Sequence, residues 1–424
     1  MARFIIDGRR KLGGEFRPAG NKNAVLPMLA ACLLTDEALE LRRVPHIGDV
    51  ATMLEILAGL GVRVSRTEGA VRLCAKGIRR RRLPRELCHR VRSSILFAGP
   101  LAARHGCAVV YPPGGDVIGR RRLDAHLAGL RALGIECSGT DPFTFRRGRL
   151  RGAEILLQEA SVTGTENLMM AAVLAPGRTT LLHAACEPHV RDLGELLVKM
   201  GARISGLGTN RIDIDGVEAL QGAAHDVAPD HIEIGSFLAA AAVTGGDLFI
   251  PGVDEGLLRP ILRPFQTLGL DLAPAEGGLR LTGRRLLRVT AEPGVRVPTI
   301  EDAPWPGFPS DLMSVALVAA TQAHGPVLFF EKLFESRMVF VDRLLDMGAR
   351  LVPCDPHRVV VIGPSSLRAV SLHSPDIRAG MALVIAALCA RGTSVIANAE
   401  VIDRGYERLE ERLQALGGAI AREA

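Results

Sequence analysis

Aromatic residues are scarce in this sequence. Phenylalanine, tyrosine and tryptophan together make up 4% of its 424 residues, and there is one tryptophan. Proteins that hold single-stranded nucleic acid stack the bases on aromatic side chains, so this composition argues against a nucleic-acid partner. The net charge of +6 still favours an anionic partner. We interpret the most basic segment, residues 79–92, as a solvated face.

Long hydrophobic runs and regularly spaced cysteines are also missing. The longest apolar runs, such as residues 381–390, are about ten residues, whereas a membrane-spanning helix needs about 20. The first residues contain no apolar stretch of signal-peptide length. The eight cysteines show no Cys-x-x-Cys spacing, which argues against a metal centre and a disulfide framework. We therefore expect a cytoplasmic protein that has no membrane insertion.

Internal repetition is the most informative feature that is present. Six amphipathic stretches end in Leu-Gly or Met-Gly and continue into a short strand pattern, with successive glycines 67 to 79 residues apart. The glycines are Gly61, Gly134, Gly201, Gly269, Gly348 and Gly417. Apolar residues within the stretches recur at helical spacing, as in residues 50–57. Because glycine alone avoids the Cβ clash of the left-handed conformation, each is predicted to cap a helix end.

A second set of six segments is rich in alanine and apolar nearly all round. They occupy residues 22–34, 92–103, 166–177, 234–246, 310–320 and 378–390. Such segments predict helices buried on every side, lying side by side with their N-termini on a common side. Each repeat then reads as strand, buried helix, strand, amphipathic helix and closing hairpin. A chain of this length with six such repeats indicates two domains or one repeat assembly.

The residues at the starts of the predicted buried helices are unusually polar. Lysine and arginine are unfavourable at a helix start unless an anion is near, so Lys22, Arg92 and Arg378 predict an anion site. The remaining polar residues are interpreted as ordinary caps or solvated first-turn residues. They are Ser93, Thr165, Glu166, Glu233 and Asp311.

Seven stretches in order resemble the enolpyruvyl transferase family. They are GNKNAVLPMLAA (20–31), VRSSILFAGPLAA (91–103), PGGDVIG (113–119), FPSDL (308–312), FESR (334–337), DIRAG (376–380) and IDRGYERLEERL (402–413). The resemblance covers the whole chain. It implies an α/β fold of six βαβαββ-type repeats, arranged as a two-domain inside-out α/β barrel with helices inside and sheets outside.

The resemblance also implies a domain division and a place for the site. The first three-repeat domain is expected at residues 22–228, with a substrate loop around 112–124. The second is expected at residues 1–21 and 229–424. The active site is expected in the cleft between the two domains.

The resemblance implies transfer of the enolpyruvyl group of phosphoenolpyruvate to the 3-hydroxyl of UDP-N-acetylglucosamine. Phosphate is released by way of a tetrahedral ketal, and no metal or cofactor takes part. The reaction is the first committed step of peptidoglycan precursor synthesis. It needs a proton donor, a base and cations around two anionic groups. The expected partners are therefore phosphoenolpyruvate and a UDP-sugar, and the chain is expected to be a monomer or a weak oligomer.

Residue roles follow from matched positions in the family motifs. The catalytic candidates are Asp116 as general acid, Asp311 as base for the sugar hydroxyl, Lys22 and Arg404. The phosphoenolpyruvate-binding candidates are Lys22, Arg121 and Arg404 for the phosphate and Arg337 and Arg378 for the carboxylate. The UDP-sugar-binding candidates are Asn23, Arg92, Arg121, Asp124, Ser161, Val162, Asp311 and Leu333. Arginine suits such sites because its planar guanidinium binds oxyanions in a bidentate manner.

Asp116 stands where most family members carry a reactive cysteine. The resemblance places it on a loop that closes over bound substrate, and closure brings Arg121 to the anion. Removal of the Asp116 carboxyl from water would favour its protonated, proton-donating form. Because fosfomycin alkylates the family cysteine, the aspartate predicts resistance to that epoxide.

The departures from the family pattern lie at the nucleotide end of the expected site. They are Arg120-Arg121-Arg122, Glu159 in place of a lysine, Thr163 in place of a glycine, and Pro229-Asp230-His231-Ile232-Glu233. Ordinary drift within one enzyme explains them, and so does a paralogue with another nucleotide or sugar-phosphate acceptor. Shikimate-pathway transfer and a non-catalytic anion-binding homologue are further alternatives. His126 either orients the loop or has a structural role.

Overall fold

The computed structural model describes residues 2–116, 118–119 and 122–423. These residues form two compact units. The first unit comprises residues 19–116 and 122–229, and the second comprises residues 2–18, 118–119 and 230–423. Each unit is described separately below.

Two short strands begin the chain, and the first unit follows. The strands β1 (Arg3–Asp7) and β2 (Gly14–Glu15) belong to the second unit. The strands of the first unit are β3 (Ala38–Arg42), β4 (Arg63–Thr67), β5 (Ala70–Cys74), β6 (Cys107–Val110), β7 (Ile135–Ser138), β8 (Phe143–Arg147), β9 (Glu154–Leu156), β10 (Arg178–Leu182), β11 (Arg203–Ser205), β12 (Arg211–Asp215) and β13 (Ala223–Asp226). Its α-helices are α1 (Lys22–Ala31), α2 (Gly48–Leu60), α3 (Arg85–Arg90), α4 (Ala98–His105), α5 (Asp124–Ala132), α6 (Val162–Ala172) and α7 (Pro188–Lys199). Short 3₁₀ turns occupy Cys32–Leu34 and Arg92–Phe97.

The second unit repeats this alternation of helices and strands. Its further strands are β14 (Leu248–Pro251), β15 (Asp271–Ala275), β16 (Gly278–Thr282), β17 (Leu287–Arg288), β18 (Thr299–Glu301), β19 (Ala323–Phe330), β20 (Leu351–Asp355), β21 (Arg358–Gly363), β22 (Ser371–His373), β23 (Thr393–Ala397) and β24 (Ala419–Glu423). Its α-helices are α8 (His231–Val243), α9 (Glu255–Thr267), α10 (Met313–Thr321), α11 (Val341–Asp346), α12 (Ile377–Cys389) and α13 (Leu409–Ala415). The 3₁₀ turns are Ser310–Leu312 and Ala399–Arg404.

The strands of each unit form small sheets, each with an apolar face and a polar face. Successive side chains along a strand point to these two faces in turn. In the first unit the strand orders are β13-β3-β5-β4, β11-β12-β10-β9 and β6-β8-β7. In the second they are β22-β23-β1-β24, β15-β16-β14-β2 and β17-β19-β21-β20, with β18 beside β19. Leu39 of β3 lies opposite Leu73 of β5, and Leu41 lies opposite Val71; all four are buried in the core of the unit. The residues between them point to the other face, so the register is fixed by burial.

The alanine-rich segments form helices enclosed in each unit, as predicted. In the second unit α8, α10 and α12 contact one another, and all of α8 except its last residue is buried. In the first unit α6 contacts both α1 and α4. Although these helices are nearly all apolar, none in the described part of the chain is long and apolar enough to cross a membrane.

The segment at residues 92–103 differs from the single helix expected from its pattern. It begins as the 3₁₀ turn Arg92–Phe97 and continues as α4. Pro100 stands in the first turn of α4. Proline lacks the N–H group needed in a helix interior but is tolerated in a first turn, so the α-helix begins just before it.

The six repeat glycines adopt the left-handed conformation that the sequence predicts. Their φ angles lie between 88° and 104°. Gly61 follows α2 directly, and its N–H donates to the carbonyl of Ala58. The amphipathic helices therefore end where the sequence pattern placed their ends.

Candidate active site

Three predicted site residues meet in the second unit around one carboxylate. The Oδ1 atom of Asp311 accepts a hydrogen bond of 2.7 Å from Nη2 of Arg337. The Oδ2 atom accepts from Nε and Nη2 of Arg378, at 3.0 and 2.7 Å. We call these three residues the Asp311 cluster. Two guanidinium groups thus hold one carboxylate through three charge-assisted hydrogen bonds.

Local structure brings Asp311 and Arg378 to the starts of two buried helices. Asp311 lies in the 3₁₀ turn that leads into α10, and Arg378 is the second residue of α12. Asp376 caps α12 by accepting from the backbone N–H of Arg378 at 2.8 Å. The anion beside Arg378 in this structure is the Asp311 carboxylate; an anion site for a substrate at this helix start stays a prediction. The expectation that Asp311 is an ordinary solvated first-turn residue is wrong, because the two arginines hold it.

The two arginines of the Asp311 cluster are almost completely buried. The side chains of Arg337 and Arg378 are 2% and 6% exposed, whereas that of Asp311 is 27% exposed. Burial opposes the charged form of Arg378, but the charge of Asp311, together with Tyr406 and Asp230, outweighs burial, and the pKa of Arg378 is raised. The cluster is therefore a buried pair of permanent cations with a carboxylate at its solvent-accessible side.

Tyr406 accepts a further hydrogen bond from the Arg378 guanidinium. Nη1 of Arg378 donates to the Tyr406 hydroxyl at 3.4 Å, and that hydroxyl lies 2.8 Å from Oγ of Ser236. Burial raises the pKa of Tyr406, so the hydroxyl stays neutral. Sequence reasoning missed this contact. The available signal was one of only two tyrosines in the chain, inside a matched motif.

Ser310 links Arg337 to a buried acid. The Ser310 hydroxyl lies 2.9 Å from both carboxyl oxygens of Glu331 and accepts from Nε of Arg337 at 3.2 Å. Oε1 of Glu331 also accepts from the backbone N–H of Phe334 at 3.1 Å. Glu331 therefore forms hydrogen bonds both with Ser310, which contacts Arg337, and with the segment of chain that carries Arg337.

A second buried carboxyl, Asp302, holds the same segment. It accepts from the backbone N–H groups of Lys332 and Leu333, at 2.5 and 3.3 Å. Asp302 and Glu331 are both fully buried. Burial, and next the hydrogen bond and the charge of Asp302, raise the pKa of Glu331 to about 9. Glu331 consequently keeps its proton at neutral pH.

Glu331→Gln is expected to flatten the pH dependence of stability between about pH 5 and 9. Folded Glu331 keeps its proton up to about pH 9, whereas the unfolded chain loses it near the ordinary value of 4.5. Unfolding then releases a proton, so the free energy of unfolding falls as the pH rises, by up to about 1.4 kcal/mol per pH unit. Above pH 9 Glu331 is ionised in both the folded and the unfolded protein, so its contribution to the free energy of unfolding no longer changes with pH.

Denaturant unfolding at pH 6 and pH 8.5 checks this prediction. The variant should lose less stability across that interval than the wild type. The exposed control Glu411→Gln, whose partner Arg408 is also exposed, should keep the wild-type slope. Equal slopes for Glu331→Gln and the wild type would show that Glu331 is ionised in the folded protein.

Lys22 of the first unit pairs with a buried carboxylate. Its Nζ lies 2.8 Å from Oδ2 of Asp49, and the two side chains are 9% and 7% exposed. Lys22 is the first residue of α1, and Asp49 lies in the first turn of α2. Asn21 caps α1 by accepting from the backbone N–H of Asn23 at 2.9 Å. Asp49 was not identified from the sequence, since one aspartate in an amphipathic helix carries no distinctive signal.

Asp116 is half-buried in the segment without regular secondary structure that follows β6. The two glycines before it are required by close backbone approach. A Cβ on Gly114 would lie 1.8 Å from the carbonyl oxygen of His89, and Gly115 has a φ of +98° beside Arg92. At this end of the loop the glycines allow tight packing.

Arg92 and Asp124 lie near each other through Arg122. Nη2 of Arg92 donates to the carbonyl oxygen of Arg122 at 3.1 Å. The guanidinium of Arg122 forms an ion pair with Asp124, the first residue of α5. Arg121, which was predicted to bind both substrates, lies outside the described residues.

The remaining predicted residues lie at exposed or half-buried places. Ser161 caps α6 by accepting from the backbone N–H of Gly164 at 3.3 Å, and Val162 is the first residue of that helix. The side chain of Leu333 is 43% exposed. Arg404 is half-buried at the end of its 3₁₀ turn.

Two acidic residues predicted to face solvent are buried instead. Glu233 of α8 is 3% exposed and forms an ion pair with Arg412, whose Nη2 donates to Oε2 at 3.0 Å. Glu166 of α6 is 1% exposed, and burial followed by the charge of Glu187 raises its pKa well above the ordinary value. The expectation that Glu166 and Glu233 face solvent is wrong, because the first turns of α6 and α8 are themselves buried inside the units.

Across residues 2–116, 118–119 and 122–423, no group of three or more His, Cys, Asp or Glu side chains is arranged to hold a metal. Buried Arg337, Arg378 and Lys22 supply positive charge instead.

Comparisons with known proteins agree along the full length of the chain. The family model of EPSP synthase (3-phosphoshikimate 1-carboxyvinyltransferase) matches residues 6–413. The UDP-N-acetylglucosamine 1-carboxyvinyltransferase of Bradyrhizobium diazoefficiens is 50% identical over 420 residues, which cover 99% of this chain and 97% of the relative. The enzyme of the same name from Treponema denticola is 49% identical and covers 99% of each chain.

Solved structures show the same fold at low sequence identity. The enolpyruvyl transferase NikO from Streptomyces tendae has a TM-score of 0.87 at 22% identity, covering 99% of this chain and 98% of its own. EPSP synthase from Acinetobacter baumannii has a TM-score of 0.76 at 19% identity, with full coverage of both chains. The predicted fold class is confirmed.

Proposed function

Because the chain belongs to the EPSP synthase family of enolpyruvyl transferases, we propose that it transfers the enolpyruvyl group of phosphoenolpyruvate to the 3-hydroxyl of UDP-N-acetylglucosamine and releases phosphate. Relatives at 49–50% identity carry the name UDP-N-acetylglucosamine 1-carboxyvinyltransferase, which supports this proposal. The observation that carries the proposal is the Asp311 cluster, in which two buried arginines already hold a carboxylate.

The Asp311 cluster suits both the carboxylate of phosphoenolpyruvate and the base that the reaction needs. A substrate carboxylate has the charge and shape of the aspartate that Arg337 and Arg378 hold. Nη1 of Arg337 donates to no residue within the described ranges, which leaves a donor for the substrate. When the substrate carboxylate takes hydrogen bonds from the arginines, Asp311 regains lone pairs that can accept the proton of the sugar hydroxyl.

The chemical steps conserve protons between the two carboxyl groups. Asp116 donates a proton to C3 of the enol while the sugar oxygen bonds to C2 and gives its proton to Asp311. C2 is then a tetrahedral ketal. Asp116 then takes a proton back from C3, the bond between C2 and the phosphate oxygen breaks, and the double bond between C2 and C3 forms again. The proton that Asp311 received from the sugar leaves with the phosphate, so both carboxyl groups return to their starting states. Cations around the phosphate stabilise the leaving charge.

The phosphate-binding group in this proposal comes from three separated segments. Lys22 is a buried cation held in place by Asp49, and Arg404 is a half-buried cation at a turn. Arg121 completes the set by its match to the family. For the acceptor, the proposal uses Asn23, Arg92, Asp124, Ser161, Val162 and Leu333.

Purified protein with phosphoenolpyruvate and UDP-N-acetylglucosamine tests the proposal. Phosphate should be released only when both are present, and mass spectrometry should show the sugar nucleotide enlarged by the enolpyruvyl group. Release only with a different nucleotide or sugar-phosphate acceptor would contradict the acceptor and support the paralogue. No release with any acceptor would support the non-catalytic homologue.

The location and assembly of the protein follow from the same proposal. Phosphoenolpyruvate and UDP-sugars are cytoplasmic metabolites, so we place the protein in the cytoplasm as a monomer or weak oligomer. Light scattering of the purified chain checks the assembly, and a stable large oligomer would contradict it.

A further inference from the structure

A chain of buried hydrogen bonds in the first unit ends at Thr163, a residue that departs from the family pattern. It starts at Asn167 of α6, which is fully buried. Oδ1 of Asn167 accepts from the backbone N–H of Gly99 at 2.7 Å, and Nδ2 donates to the carbonyl oxygen of Ile95 at 3.1 Å. Because a backbone N–H can only donate and a carbonyl can only accept, the orientation of the Asn167 amide is fixed.

The orientation of Asn167 fixes the proton of His126 in turn. Nδ2 of Asn167 lies 3.0 Å from Nδ1 of His126, so Nδ1 must be the accepting, unprotonated nitrogen. Burial, together with the charge of Arg92, lowers the pKa of His126 to about 3, and the ring is neutral. The proton of the neutral imidazole is therefore on Nε2. Of the two roles left open by the sequence, these buried hydrogen bonds to Asn167 and Thr163 support the structural one.

The Nε2–H group of His126 points at the hydroxyl of Thr163. The two atoms are 3.1 Å apart, so the Thr163 oxygen accepts this hydrogen bond. A hydroxyl that accepts keeps its own hydrogen available to donate. Within the described ranges Thr163 Oγ1 has no other hydrogen-bond partner. Thr163 is half-buried in the first turn of α6, where its hydroxyl can reach a ligand.

Thr165 lies two residues further along α6, and its hydroxyl has no hydrogen left to donate to a ligand. Its Oγ1 donates to the carbonyl oxygen of Ser161 at 2.8 Å and accepts from the backbone N–H of Ala185 at 2.9 Å. The fold uses both functions of that hydroxyl. It leaves the donor function of Thr163 unused.

We propose that Thr163 is a specificity-determining residue of the acceptor site, and that its hydroxyl, oriented by His126, donates a hydrogen bond to a diphosphate oxygen of the sugar nucleotide. This inference rests on the proposed function. A diphosphate fits the surroundings because the first turn of α6 presents backbone N–H groups and Arg92 lies close enough to act on His126. Ser161 and Val162, the neighbours of Thr163, are candidate contacts to the same substrate.

Thr163→Val tests the proposal because valine has the same shape without the hydroxyl. Calorimetric titration with UDP should show affinity weakened between about tenfold and 100-fold, the range for loss of a hydrogen bond to a charged group. In turnover, KM for UDP-N-acetylglucosamine should rise by the same factor. KM for phosphoenolpyruvate and kcat should change by less than about threefold, because a uniform binding contact is lost.

Three companion measurements separate the hydrogen bond from a structural effect. Thr163→Ser keeps the donor and should retain wild-type affinity for UDP. Thr52→Val is the matched control, because the Thr52 hydroxyl donates to the carbonyl of Gly48 in its own helix, and it should leave affinity unchanged. Nitrogen-15 NMR should show His126 protonated on Nε2 in the wild type and in Thr163→Val.

Titration with uridine identifies the part of the nucleotide that Thr163 contacts. Thr163→Val should weaken UDP and leave uridine unchanged. An equal loss for uridine would overturn the diphosphate assignment, and an unchanged affinity for UDP would overturn the role of Thr163. If the wild type binds UDP but releases no phosphate, the proposed function fails while the UDP titration still decides the question about Thr163. If the wild type does not bind UDP, the Thr163 proposal is overturned.

Discussion

Replacement of Asp116 by asparagine is expected to lower the rate of phosphate release by about 10²- to 10⁴-fold, the usual contribution of a general acid. Asparagine has nearly the same shape, so Gly114 and Gly115 can keep the tight approach that positions residue 116. It has no acidic proton to give to C3 of the enol. Binding of phosphoenolpyruvate should therefore survive, and solvent deuterium should no longer enter C3.

Asp116→Cys is the matched control for this prediction. It restores the residue that most family members carry, so it should retain activity and become sensitive to fosfomycin. Mass spectrometry should show one covalent adduct on Asp116→Cys and none on the wild type. Wild-type protein captured by fosfomycin at residue 116, or an asparagine variant as fast as the wild type, would remove Asp116 from the role of general acid.

Replacement of Asp311 by asparagine is expected to impair both stability and catalysis. Arg337 and Arg378 are almost fully buried, and loss of the carboxylate removes the anion to which both guanidinium groups donate. Breaking a buried ion pair from one side costs about 3–5 kcal/mol in the free energy of unfolding. Loss of the base for the sugar hydroxyl should lower kcat by about 10²- to 10⁴-fold.

Thermal unfolding with and without phosphoenolpyruvate measures the first part of this prediction. The ligand should raise the melting temperature of Asp311→Asn more than that of the wild type, because its carboxylate supplies the missing negative charge. Asp346→Asn is the control: Asp346 pairs with Arg343 on the surface, and its loss should cost no more than about 1 kcal/mol. An Asp311→Asn variant as stable and as active as the wild type would show that the cluster serves neither purpose.

The sequence itself determined the repeat architecture of the chain. Each amphipathic helix ends at a glycine because the left-handed conformation after a helix excludes a Cβ, as at Gly61 and Gly348. Alanine-rich segments had to be enclosed because a helix that is apolar all round has no face for water. The same local reasoning predicted an anion near Arg378 because this arginine stands at a helix start. These features depend on neighbours within a few residues, which a sequence displays directly.

Tertiary structure alone decided which side chains meet. Asp311 is 26 residues from Arg337 and 67 from Arg378, and Ser236 is 170 from Tyr406. Periodicity tells which face of a helix is buried, but the partner across a buried face is set by how separate helices pack. The proton that Glu331 keeps, the pairing of Lys22 with Asp49 and the orientation of Thr163 by His126 arise in this way. Each depends on an atom that packing, and not spacing along the chain, brings within about 3 Å.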